Sequence, residues 1–267
     1  MKLAFALALG VLSTFAFAEP PQRIDVSKLP GLTRMIDDVV VPVPSEIFGV
    51  LDKLGKPHWE GVLRPVNGAK PTGDQAQIAL LLGTVIAEGF IAVEAENVEE
   101  VKKIGKAVLT LSEAINVRKA VLKRSKSITD FAEKKAWPSV RRELDGALTD
   151  VKSAMIELQS EQLSQLVSLG GWLRGTEALT KVVSKSFTKD GAELLHQPVL
   201  LDYFDRQIAG MRPKIKANPV VSKVQKGLIE IRPLIGLTDG TSISEKTVLE
   251  IDAIAADLVK TINSRAN

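Results

Sequence analysis

Two ionisable residues stand where the sequence leaves charge little room. Glu88 interrupts the apolar run "QIALLLGTVIAEGFIAVEAEN". Arg174 sits in "LVSLGGWLRGTEALTKV", between Leu173 and Gly175. A charge buried in an apolar setting is costly unless it is paired, so each is read either as one half of a buried Glu88–Arg174 pair or as facing a separate solvated groove. Other residue types offer less chemistry. There are 2 histidines and no cysteine, so the usual metal and nucleophile arrangements lack their parts. His58 lies in "KPHWEG" and His196 in "ELLHQP", and neither has a second histidine at ligand spacing. "SFTK", Ser186 to Lys189, matches the serine–x–x–lysine motif of penicillin-binding enzymes, but the companion elements of that chemistry are absent. The sequence is therefore read as non-enzymatic, with no cofactor and no metal site.

Binding chemistry is better represented. From Arg118 to Arg142 there are nine Lys or Arg against two acids. Arg118, Lys119, Lys123, Arg124 and Lys126 form a candidate patch for an anionic surface by screened attraction; the alternative is a solvated helix end whose cations face water. Few aromatics are interleaved, which disfavours nucleic acid. Trp172, Tyr203 and His196, with Glu88 and Arg174, are candidate ligand-binding residues. Trp172, Phe187, Tyr203 and Phe204 would line a cavity if the helices enclose one; otherwise they are core.

The elements that must position these residues read as helices. The start, "MKLAFALALGVLSTFAFAEPPQ", has a cation at Lys2, an apolar run and small residues at Ala16 and Ala18. This is the pattern of a secretory signal peptide, here residues 1–18 with cleavage after Ala18 and no membrane anchor left behind. Export with no cysteine means that packing alone must stabilise the fold. A mature chain of about 250 residues is long enough to do so. Residues 19–72 are proline-rich and read as an extended arm with one short helix near 45–54, since proline removes a donor and restricts its predecessor.

Residues 73–267 read as a single irregular bundle of about six to eight helices with no significant sheet. Val98, Val101, Ile104, Val108, Leu111 and Ile115 keep the helical period, with Asn97 and Glu100 as a capping-box start. That helix is expected to continue into the basic stretch and turn near 125–130. The next, from Trp137 and Pro138, is expected to run past Ser160 into the glycine segment. Pro198, Asn218–Pro219 and Ser242 with Glu245 mark later helix starts.

Gly170, Gly171 and Gly175 cost a helix roughly 3 kcal/mol in all. A tight crossing on a Gly171/Gly175 strip is the first explanation, a helix break at Gly170–Gly171 the second and a ligand pocket the third. The leading functional expectation is an exported α-helical envelope protein that binds another protein or an envelope component. The alternative is a carrier of a small molecule or lipid between apolar helices.

Overall fold

The computed structural model describes residues 34–36, 39–41, 49, 57–66, 70–71, 73–236 and 241–264. The segment expected to be a signal peptide, most of the expected arm and, apart from Gly49, the helix expected over 45–54 lie outside them. Among the described residues the fold is all-α. Its helices are α1 (Gln75–Glu94), α2 (Val98–Ala114), α3 (Arg118–Glu133), α4 (Trp137–Glu157) and α5 (Glu161–Lys185). They are followed by α6 (Lys189–Glu193), α7 (Pro198–Gly210), α8 (Pro213–Lys216), α9 (Pro219–Ile235) and α10 (Glu245–Asn263). A 3-10 turn, Trp59–Val62, precedes them. The arm holds one small ladder, strand β1 (Arg34–Ile36) antiparallel to β2 (Val39–Val41), with Arg34 opposite Val41.

Helix α1 is the axis of the bundle. Every residue from Ala76 to Glu94 is buried, as expected of a helix that is apolar on all faces and surrounded by others. It is long and apolar enough to cross a membrane, but its apolar window is entirely covered by protein. Asp74 starts it, its carboxylate accepting from the Ala76 and Gln77 amides, each at 3.0 Å. One connected core runs from Trp59 and Val62 to Ile262, so residues assigned to the arm belong in packing terms to the bundle.

Helix α5 runs unbroken for 25 residues, which excludes the break at Gly170–Gly171. Instead it lies against α1 with backbone touching backbone. A Cβ on Gly83 would stand 2.0 Å from the Val167 carbonyl oxygen, and one on Gly170 would stand 2.1 Å from that of Leu80. The tight crossing is thus present, but Gly83 and Gly170 make it. Gly171 is at ordinary contact distance from Gly83, and Gly175 faces open space.

Three helix ends differ from the sequence expectation. α2 does not continue into the basic stretch, α3 does not turn near 125–130, and α4 does not run into α5. The connections after α1, α2, α3 and α4 are all of one kind. Glu96, Asn116, Lys135 and Gln159 each take a positive φ, between 52° and 64°. In each case the next amide reaches back five residues: Asn97 to Ala92, Val117 to Ser112, Ala136 to Phe131 and Ser160 to Met155, at 2.8–2.9 Å. These are Schellman ends, in which a left-handed residue lets the chain cap its own carbonyls. Later starts follow the sequence more closely. Pro198 opens α7, and Asn218 caps α9 through the Val220 and Val221 amides. The last cap is Ser244, two residues beyond the expected Ser242.

Candidate functional site

Glu88 and Arg174 meet. α1 carries the first and α5 the second, and the glycine crossing one to two turns away brings the two axes close enough for the Arg174 Nε to donate to Glu88 Oε2 at 2.6 Å. The side chains are 3% and 1% exposed, so the pair is fully desolvated. It is also part of a larger network. Arg174 Nη2 donates to the Val62 carbonyl at 2.7 Å, and the Arg64 backbone amide donates to Glu88 Oε1. Glu177, three residues along α5 and wholly buried, takes an ion pair from the Arg64 guanidinium and another from Lys181 at 2.8 Å. Arg174 Nη1 and Glu177 Oε2 face each other at 3.5 Å, and neither forms a hydrogen bond.

The chemistry of this cluster is that of a clamp. Both Glu88 oxygens are occupied by donors, and the guanidinium of Arg174 spans a carboxylate and a carbonyl, as its planar fork allows. The segment 57–66 is thereby fastened to α1 and α5. A cavity of about 520 Å³ adjoins the cluster, with Arg64, Thr84, Glu88, Arg174, Lys260 and Asn263 among its lining. Most of its inner polar groups are committed to the protein: Thr84 donates to the Leu81 carbonyl, and Glu88 and Arg174 hold each other, with Arg174 Nη1 the group left without a hydrogen bond.

The remaining sequence candidates lie elsewhere. Trp172, Tyr203 and Phe204 form an aromatic cluster, with ring centroids 5.8 Å apart for Trp172–Phe204 and 5.5 Å for Tyr203–Phe204. The Trp172 indole donates to Gln197 and the Tyr203 hydroxyl donates to Gln165, at 3.0 and 2.7 Å. Their polar ends are satisfied, and neither cavity described here is lined by them. His196 is half-buried before α7 and away from both cavities. The basic patch is divided. Arg118 pairs with Glu113. Arg124 lies across Gly146, bonded to Asp150 at 2.8 Å and close to Glu143. Lys119, Lys123 and Lys126 remain exposed. Ser186 ends α5 and Lys189 begins α6, so the serine–x–x–lysine pair is split by a helix break.

A second cavity lies among apolar residues that the sequence marks only as core. It is a groove of about 500 Å³ between α2, α3 and α4, floored by Ile86 and Gly89 of α1. Val108, Leu109, Ile128, Leu144 and Leu148 line it and are only half-buried. Apolar side chains on helices that face one another normally close on themselves; these leave a trough instead. Gly105 widens it, because nothing lies within 4 Å of where its Cβ would be. Lysines from α2 and α3 form the rim. A hydrogen bond from Lys102 to Glu133 holds that ammonium above the ordinary lysine range, and Glu100 does the same for Lys103. Comparison of the chain with protein-family models, curated proteins and solved structures finds no match.

Proposed function

We propose that this chain is an exported, non-enzymatic α-helical protein of the cell envelope that binds an envelope component, an apolar small molecule, in the groove between α2, α3 and α4. The observation that carries this reading is the trough itself. Its volume, about 500 Å³, lies within the roughly 300–1,000 Å³ typical of small-molecule sites. Leaving five apolar side chains half-exposed forgoes stabilisation of about 25 cal/mol for each Å² that remains in water, and an apolar ligand would recover it. The cavity beside Glu88 and Arg174 suits an apolar ligand less well, because charged and polar side chains line it. The signal-peptide pattern of residues 1–18 supports export.

The test is displacement of a fluorescent apolar probe, N-phenylnaphthylamine. The protein is expected to bind the probe saturably. Gly105→Leu, which places a side chain into the open trough while improving helix propensity by about 0.8 kcal/mol, is expected to abolish binding without lowering the melting temperature. Equal probe binding by both proteins would contradict the reading.

A further inference from the structure

The rim of the groove is electrically uneven along its length. Lys102 is neutralised by Glu133 at 2.7 Å and Glu99 at 3.6 Å, and Lys103 by Glu100 at 2.6 Å. One turn further along α2, Lys106 lines the groove without an ion pair among the described residues, and so does Lys126 on α3. α2 and α3 run antiparallel about the corner at Asn116, as the Lys102–Glu133 pair near the open end shows, and Lys106 and Lys126 are equally distant from that corner in sequence. The acids that line the groove are Glu99 and Asp130. Glu99 is paired with Lys102, and Asp130 lies one turn beyond Lys126, toward the open end. Two ammonium groups without an ion pair among the described residues thus flank an apolar trough, and Asp130, one turn from Lys126, is the lining carboxylate nearest to them in sequence.

We infer that the groove takes a single aliphatic chain ending in an oxyanion, a carboxylate or a phosphate, with the chain along Ile104, Val108, Ile128, Leu144 and Leu148 and the head between Lys106 and Lys126. This rests on the reading of the groove as the ligand site. The apolar wall supplies the non-directional part of binding. The lysines supply charge complementarity, which selects among ligands with the same tail and weakens with salt.

The experiment displaces N-phenylnaphthylamine from the full chain with palmitate, hexadecyl phosphate and hexadecanol, each below its aggregation concentration. Both anions are expected to displace the probe at concentrations about tenfold lower than the alcohol, a difference of the size one good polar contact makes. Replacing both lysines (Lys106→Ala with Lys126→Ala) is expected to raise the anions to the alcohol's level and leave the alcohol unchanged. Both lysines are solvent-exposed, and an unchanged circular dichroism melt checks that the fold survives. If the alcohol displaces as well as the anions, or the double variant leaves the anions unaffected, the oxyanion head is overturned while the groove reading stands. If the probe binds but none of the three displaces it, or only an amphipathic peptide does, the aliphatic ligand is overturned. If the probe itself does not bind, the groove reading fails as well.

Discussion

At the scale of single residues, Arg174 is the most consequential side chain. It is among the largest fully buried ones and touches Glu88, Glu177 and the Val62 carbonyl. Arg174→Met leaves two buried carboxylates short of a counter-charge and is expected to cost about 3–5 kcal/mol, read by urea denaturation. Exchanging the charges of Glu88 and Arg174 is not expected to rescue the fold, because a glutamate at 174 would face Glu177 and a carbonyl; recovery to wild-type stability would contradict the network. A second ion pair reports on pH. The hydrogen bond from Arg232 holds the Asp202 carboxyl below its ordinary value. Its stabilisation is therefore complete above the usual carboxyl range and is lost as pH falls through the lowered value. The two side chains are 40% and 39% exposed, so solvent screening limits the effect to about 0.5–1 kcal/mol. Asp202→Asn is expected to lower stability at pH 7 by that amount and to close the gap with wild type below pH 4, as thermal melts across pH would show. The Glu88–Arg174 meeting was legible in sequence because each residue is an anomaly in an apolar helix. Glu177 was not, since a glutamate in "RGTEAL" reads as an ordinary helix-surface residue.

At the scale of elements, the glycines divide by what lies against them. Gly83→Ala and Gly170→Ala drive a methyl group into a backbone carbonyl of the partner helix and are each expected to cost about 2–3 kcal/mol. Gly175→Ala meets nothing and is expected to stabilise by about 1 kcal/mol. Denaturant midpoints for the three variants check both signs. The helix starts were legible wherever a capping side chain or a first-turn proline marked them, at Asn97, Trp137–Pro138, Pro198 and Asn218–Pro219. The ends of α1 to α4 were not. Glycine is the usual mark of a Schellman end, and this chain uses Glu96, Asn116, Lys135 and Gln159. With no glycine or proline at the corner, the apolar period runs on across it, which explains why α2 and α3, and likewise α4 and α5, read as continuous. The left-handed conformation is strained for such residues, so Lys135→Gly is expected to stabilise by about 0.5–1 kcal/mol despite the greater freedom it gives the unfolded chain. A loss of stability in the same denaturation assay would contradict that conformation.

At the scale of the whole molecule, one buried helix organises the rest. α1 meets α5 through glycine, α2 and α4 through apolar side chains, and the 57–66 segment through the charge cluster. The all-α class and the central position of α1 were legible because composition and period are local. Where the helices fail to close was not, because a trough is set by the distances between helices, and stripe patterns do not carry distances. Val108, Leu144 and Leu148 look in sequence like any other core positions, and the aromatic residues Trp172, Tyr203 and Phe204 lie in the packed side of the molecule instead. The trough is proposed to hold its ligand in the protein as its host makes it. The most direct measurement is organic extraction of the protein purified from that host, followed by mass spectrometry of the released molecules, for wild type and Gly105→Leu in parallel. A stoichiometric aliphatic anion from the wild type and its depletion from the variant are predicted; release of no apolar molecule, or of equal amounts from both, would contradict the claim.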